Sequence, residues 1–442
     1  MNRRQDPTKE LSENEKEAQL EKLANWLGQE WLESKDPHPV RELWNRKDWL
    51  ATIELLTIGN SLKKIEQKVS PKTLEDAALD MKSNDFGNRA GSLFEIIGSA
   101  IFDNPDHPIT MPKVGQPGYD FAINLPNEKK IRVSCKALIP SAKEIEFRKF
   151  CNSLHKQYTS TLPLGSATIT KMYLVDKNDS NKFNVPYILN GLSNTLAQGY
   201  SPERSMYVYG GWGFTISPLA PEEGYSFWNA ERSQTFLSIC PFLGDEQKRF
   251  EDKIDNAISN LKKHCSDVSS EVGNIILIKI PESISFTKAR EWLKNSFDDY
   301  SDSISAILLI RSQVVSEAKK ESTSCVVYEI SFVENPKAKF NLKTYLDDDF
   351  QFKLEIPIGK VTDVETRLEI HDGSRILNPT EAYVYFTGHH FYHTHFSSGK
   401  AEFSARGYPN ISVSTFITGL GPDPNPLRLD FIFPPENELI LI

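Results

Sequence analysis

From residue 12 to residue 81 apolar residues recur at helical spacing. Leu20, Leu23, Trp26, Leu27 and Trp31 form one broad stripe in LEKLANWLGQEWL, and Leu50, Ile53, Leu56 and Ile58 continue it in DWLATIELLTIGNSLKKI. The spacing predicts a helical N-terminal region. A further helix is predicted in NRAGSLFEIIGSAIF, where Phe94, Ile97 and Ile101 share a face and Glu95 sits within an otherwise apolar segment. The period then falls to two. GYDFAINL and KIRVSCKAL alternate in polarity, and the intervening PNEK contains the turn-favouring Pro126 and Asn127. These segments predict a β-hairpin.

The hairpin's register follows from its apolar positions. Phe121, Ile123 and Leu125 share one face of the first strand, and Ile131, Val133 and Cys135 share one face of the second. Directly opposed residues of an antiparallel pair point to the same side, so burying both triplets together puts Ile123 opposite Ile131 and demands a loop of odd length. Asp120 then faces Ser134 and lies diagonally next to Lys136, on the side away from that core.

Beyond the hairpin, residues 155–235 include SMYVYGGWGFTISPLAPEEGYSFW, whose Gly, Pro and aromatic content suggests an irregular or β insertion. An amphipathic helix is predicted from Gly244 to Cys265, a buried strand in NIILIKIP, a helix in TKAREWLKNSFDDY and another strand in ISAILLIR. Alternating helix and strand imply a sheet covered on both faces. After about Val315 short alternating strands with Gly, Pro and Asn breaks point to a β-rich region. The expected class is α/β, or α+β over the whole chain. Its expected parts are a helical region at 1–82, a mixed sheet flanked by helices at 83–315, and a β-rich domain at 316–442.

A chain of 442 residues exceeds the roughly 250–300 that one core usually serves, which agrees with several domains. Charged residues at 25% and apolar residues at 39% are ordinary for a globular protein. The net charge of -9 means that nucleic-acid contact must come from local basic patches. Five scattered cysteines without a C-x-x-C pair read as reduced thiols. The opening MNRRQDPTKELSENEKEAQ lacks an apolar signal core and no run approaches ~18 apolar residues, so a cytoplasmic protein without membrane contact is expected.

A carboxylate beside a lysine, with Glu95 on a helix just upstream, is a set of groups able to hold a divalent cation and orient an attacking water. Hard Mg²⁺ prefers oxygen ligands and keeps several waters, so one or two carboxylates and a backbone carbonyl suffice alongside a substrate phosphate. The alternative is a solvated lysine, because a half-buried hairpin always has a polar face.

AGSLFE on a helix, PGYD opening a strand and VSCKA on the next strand resemble the motifs of the PD-(D/E)XK nuclease superfamily, which includes many restriction endonucleases. The resemblance covers about residues 85–140 and extends through the α/β elements to about 311. It implies a restriction-endonuclease-like core and a metal site of Glu95, Asp120 and Lys136, with the backbone carbonyl of Cys135 as a further metal ligand. It departs from the pattern at Ser134, where an acid is expected. Glu144 or Glu146, in SAKEIEFRKF, is then a candidate to supply the missing carboxylate, or Glu95 alone compensates. The resulting expectation is an endodeoxyribonuclease dependent on Mg²⁺, with Mn²⁺ as a substitute, acting as a homodimer on DNA in restriction or anti-phage defence. The competing expectation is a catalytically inactive nucleic-acid- or protein-binding relative of the same fold.

Other candidates carry less chemistry. GHHFYHTHF gathers His389, His390, His393 and His395, three of which would share a strand face, but no cysteine or acid lies close by to close a metal site. Tyr207, Tyr209, Trp212 and Phe214 in YVYGGWGF are able to stack on bases, though packing beneath a loop is the commoner role. Arg148, Lys149, His155 and Lys156 form a basic run suited either to a phosphate backbone or to a solvated helix face. Neither a phosphate-binding G-x-x-x-x-G-K loop nor a G-x-S-x-G turn occurs, so nucleoside triphosphate hydrolysis and serine hydrolase chemistry have no support.

Overall fold

A computed structural model describes residues 11–46, 49–113, 115, 117–161, 168–197, 207–218, 234–281, 283–296, 303–318, 322–340, 342, 360–362, 365–372, 375–377, 381–387, 392–397, 400–405, 411–418 and 429–430. The N-terminal helices are α1 (Glu13–Leu27), α2 (Gln29–Glu33), α3 (Pro39–Asn45), α4 (Trp49–Ile65), α5 (Pro71–Lys82) and α6 (Phe86–Phe102). Their starts are written locally. Ser12 and Glu15 form a capping box at α1, Ser70 caps α5 ahead of Pro71, and the Asp85 carboxylate accepts from the Asn88 amide at 2.8 Å to open α6.

A sheet follows, with β1 (Ile109–Thr110), β2 (Phe121–Asn124) and β3 (Lys130–Ala137). Then come α7 (Ala142–Thr161), β4 (Thr168–Leu174), α8 (Val185–Ala197), β5 (Tyr207–Tyr209), β6 (Trp212–Pro218), β7 (Gln234–Pro241) and α9 (Glu246–His264). The chain continues through β8 (Val272–Lys279), α10 (Phe286–Ser296), β9 (Ala306–Ala318) and β10 (Ser322–Glu334). Short strands complete it: β11 (Lys360–Thr362), β12 (Glu365–Asp372), β13 (Arg375–Leu377), β14 (Ala382–Thr387), β15 (Tyr392–Ser397), β16 (Lys400–Ala405), β17 (Ile411–Thr418) and β18 (Leu429–Asp430).

The first sheet has the order β1-β2-β3-β8-β9-β10-β11, with β18 also paired to β9. β3, β8 and β9 are parallel, whereas β1-β2, β2-β3 and β9-β10 are antiparallel. The protein is therefore a mixed α/β structure. Parallel neighbours need crossovers, and helices supplied by those crossovers cover the sheet. One face, carrying Phe121, Ile123, Ile131, Val133, Cys135, Leu277 and Leu308, shares a continuous apolar core with α1, α4 and α6. The opposite face packs Ile276, Ile278, Ile307 and Leu309 against Phe250, Ile254, Ile258 and Leu261 of α9 and Ala289 and Leu293 of α10.

The β2-β3 register is the one the apolar pattern demands: Ile123 pairs with Ile131 and Phe121 with Val133, across the five-residue loop 125–129. Asn127 and Glu128 carry that loop through positive φ angles of 60° and 62°. The hairpin's polar face differs from expectation. It is only partly left to solvent, and Ser134 is 1% exposed, because α9 packs on that side of β3.

The insertion resolves into a second mixed sheet, β14-β7-β4-β6-β5, completed by a strand from the C-terminal third. Its core joins Phe147, Phe150 and Leu154 of α7 to Trp212, Phe214 and Tyr383. Trp212 is fully buried, its Nε1 donates to the Lys182 carbonyl at 2.5 Å, and it stacks near Phe150 at 5.5 Å. Gly210 and Gly211, with φ of 55° and 73°, make the tight β5-β6 turn that aims it inward. The YVYGGWGF aromatics are thus packing residues, half-buried at Tyr207 and Tyr209. A third, antiparallel sheet has the order β13-β12-β17-β16-β15. The expected boundaries near 82 and 315 are both crossed by contacts, since α1–α6 pack on the first sheet and β10 pairs with β9 over its whole length.

Contact between α6 and the sheet is close. A Cβ on Gly98 would lie 2.9 Å from Leu277 Cδ2 and 3.3 Å from Cys135 Sγ, both in the packed core. Gly98→Val should cost about 2 kcal/mol through overpacking, read as a lower denaturation midpoint at unchanged m-value. An unaltered midpoint would contradict this packing.

Candidate active site

The site forms where one strand outruns its partner. β2 begins at Phe121, yet β3 runs on past Val133 to Ala137, so the last residues of β3 have no β2 residue beside them. Asp120 fills the first vacancy. Its amide donates to the Val133 carbonyl at 2.8 Å, and its Oδ2 accepts from the Cys135 amide at 2.6 Å, replacing the missing strand partner with a side chain. The Cys135 carbonyl accepts from Lys136 Nζ at 2.8 Å, and Lys136 Nζ stands 3.9 Å from Asp120 Oδ2. Both side chains are partly open, at 24% for Lys136 and 27% for Asp120.

The approach to Asp120 is pinned by Gly118. With φ at +119°, and with a Cβ there falling 2.7 Å from Cys265 Sγ and 2.9 Å from His264 Cβ, only glycine lets this loop lie against the end of α9. Asn260 Nδ2 of the same helix donates to the Gly118 carbonyl at 3.4 Å.

Glu95 enters from α6. Its residue surface is exposed, while neighbouring protein desolvates its carboxyl. Desolvation, then the negative charges of Asp120 and Asp80, raise its pKa to about 8 against the opposing pull of Lys136. Asp80, on α5, accepts from Ser92 Oγ at 2.5 Å. Asp120 is also raised, by desolvation, and held back by Lys136, the Cys135 amide and Ser134. Burial pushes the Cys135 thiol up, so it stays protonated. Ser134 is buried and its Oγ makes no hydrogen bond among the described residues, though it lies near enough to favour the ionised form of Asp120.

Asp120, Lys136 and the Cys135 carbonyl therefore lie together, and Glu95 is near enough for its carboxyl to feel the charges of Asp120 and Lys136. Glu144 and Glu146 do not join them. Glu144 is 1% exposed and its carboxylate accepts from Arg148 at 3.1 Å and Ser283 Oγ at 2.9 Å, with Glu246 as the nearby acid. Glu146 is exposed and pairs with Lys143 at 2.9 Å. Helix α7 starts only after Ser141, beyond the end of β3, so its first turn faces α9 and the second sheet.

Two residues near the site escaped the sequence. On α9, Arg249 donates to the Ile139 carbonyl at 2.9 Å and to Glu246 at 2.6 Å, and one turn later Lys253 stands half-buried beside Lys136. Desolvation, then the charges of Lys136 and Arg249, lower the Lys253 pKa. The signal available was only an i, i+4 pair of cations on an amphipathic helix, which reads as a solvated face.

The remaining candidates lie elsewhere. His389 and His390 fall outside the described residues, and His393 and His395 occupy alternate positions of β15 in the third sheet. Arg148 is committed to Glu144, and the His155 ring lies 5.8 Å from Phe236. Among the described residues no group of three or more His, Cys, Asp or Glu side chains is placed to hold a metal. Two carboxylates and a carbonyl are nonetheless a hard oxygen donor set suited to Mg²⁺, and desolvation is the main reason that both carboxylates are raised. Among the described residues no helix is long and apolar enough to cross a membrane.

Comparisons with protein families, curated proteins and solved structures find no match. The functional assignment rests on the site itself.

The Glu95 shift has a sign for stability. Its folded pKa lies above the ordinary 4.5, so its contribution is fully present below about pH 4.5 and is lost as pH rises through about 8. Without added metal, Glu95→Gln should gain Tm relative to wild type as pH rises across that window. A Tm difference that stays flat with pH would show that Glu95 is not desolvated beside Asp120.

Proposed function

We propose that the protein is a metal-dependent endonuclease that hydrolyses DNA phosphodiester bonds, built on a restriction-endonuclease-like core. The supporting observation is the meeting of Asp120, Lys136 and the Cys135 carbonyl at the open end of β3, within the electrostatic reach of Glu95. The order of elements also supports it: a helix bearing an acid, a hairpin bearing an acid and a lysine, then a crossover to a parallel strand.

Asp120, Glu95 and the Cys135 carbonyl would hold Mg²⁺, or Mn²⁺ in its place. When bound, the cation offsets phosphate charge and lowers the pKa of a water. Lys136 supplies the rest. Its ammonium donates one proton to the Cys135 carbonyl, and the other two would orient a water lone pair towards phosphorus or stabilise charge building on a phosphoryl oxygen. The Cys135 amide holds the Asp120 carboxylate in one rotamer, so that little reorganisation is needed when substrate arrives. Cutting both strands of a duplex suits a homodimer, and a role in restriction or anti-phage defence suits such an activity.

A second reading is favoured by Ser134. A serine where the superfamily pattern has an acid leaves one fewer carboxylate, and a catalytically silent module that binds nucleic acid or protein is consistent with that loss.

Incubation with supercoiled plasmid and Mg²⁺ or Mn²⁺ separates the two. Wild type should nick or linearise the plasmid, EDTA should stop it, and Lys136→Ala and Asp120→Ala should each slow it by at least about 10²-fold. Identical behaviour of wild type and both variants would remove this site from the chemistry.

A further inference from the structure

Lys253 has no part in holding a cation, yet the fold keeps it beside the site. Alternation along β3 puts Cys135 on the α6 side of the sheet, which leaves Ser134 and Lys136 on the side covered by α9. Helix α9 is fixed there by three groups. Phe250 and Ile254 are buried in the core beneath it, and the Arg249 guanidinium spans Glu246 at 2.6 Å and the Ile139 carbonyl at 2.9 Å, three residues beyond Lys136. Lys253 follows Arg249 by four residues, next to the buried Ile254, so it shares Arg249's side of the helix and is carried towards Lys136.

The three cations differ in their partners. Arg249 is neutralised by Glu246, and Lys136 lies 3.9 Å from Asp120, but among the described residues no carboxylate pairs with Lys253. An ammonium that is half-buried, unpaired and next to like charges is costly to the protein alone. An anion arriving between Lys136 and Lys253 would remove that cost.

We infer that Lys253 is a substrate-contacting residue: its ammonium binds a nonbridging phosphate oxygen of the nucleic-acid strand that enters the site, on the side of the phosphate opposite Glu95. This rests on the reading of the site as one that takes a phosphodiester. The contact is to the backbone and so carries no base specificity.

The test uses the full chain and a fluorescently labelled DNA duplex in EDTA, where binding is measured by anisotropy across a range of salt concentration and no metal-dependent cleavage intervenes. Lys253→Met should weaken binding to unrelated sequences alike and reduce the slope of log affinity against log salt by about 1, with Lys253→Arg restoring both. Melting curves should show both variants folded, since removing an unpaired half-buried charge does not cost a contact. Equal affinity and slope for wild type and Lys253→Met would overturn the inference, as would absence of binding by wild type. Lys253-dependent binding without plasmid cleavage in Mg²⁺ would retain the contact and overturn only the nuclease assignment.

Discussion

The hydrogen bond from the Cys135 amide to the Asp120 carboxylate exists because two strands differ in length. β3 extends beyond the start of β2, and an edge amide in a partly covered sheet needs an acceptor. Asp120 supplies one, and in doing so is drawn into the gap where the Cys135 carbonyl and Lys136 also point. Everything at the site depends on that mismatch. A β2 strand two residues longer would pair the amide and the carbonyl in the ordinary ladder, leaving neither an edge carbonyl nor a reason for Asp120 to turn inward.

What keeps the mismatch open is packing on both sides. Gly98 lets α6 press onto Cys135 and Leu277, which brings Glu95 to the edge, and Gly118 lets the loop before Asp120 lie on the end of α9. A buried polar cluster then joins this end of the sheet to its neighbours. Tyr383 of β14 donates to Glu246 at 2.5 Å, Glu246 accepts from Arg249, and Ser141 at the start of α7 contacts Tyr383 at 3.1 Å. Buried ion pairs of this kind add little net stability after desolvation, but their geometry is demanding. Here that demand sets the second sheet and α9 in fixed relation to the last residues of β3.

Much of this was legible in the residues because it is local. Helical spacing of apolar residues marks the N-terminal helices, and the odd-numbered triplets around Ile123 and Ile131 leave one register that buries both. Asp120 and Lys136 came together from that register alone, whereas Glu95 was singled out as an acid within an otherwise apolar helix just upstream. The rest was not legible because it depends on contacts between distant segments. No local pattern says that β14 completes a sheet begun at β4, or that α9 covers the polar face of the hairpin. Glu144 looked available because sequence distance from Lys136 is short. Its capture by Arg148 and Ser283 is set by the direction in which α7 leaves the sheet.

The charge pattern of the site is best understood as a pair of opposed imbalances. Glu95 is pushed towards its protonated form by desolvation and by the charges of Asp120 and Asp80, and on α9 Lys253 is pushed towards its neutral form by desolvation and by the charges of Lys136 and Arg249. Were stability the only constraint, carboxylates and ammoniums would be interleaved, and each would satisfy the other. Here two pairs are made, Lys136 with Asp120 and Arg249 with Glu246, while among the described residues Lys253 pairs with no carboxylate. Under the proposed function, the desolvated carboxylates would gain from a bound cation and the unpaired Lys253 from a phosphate. On the proposed reading, an acid in place of the buried Ser134 would add negative charge on the α9 side of the sheet, where the phosphate is proposed to enter.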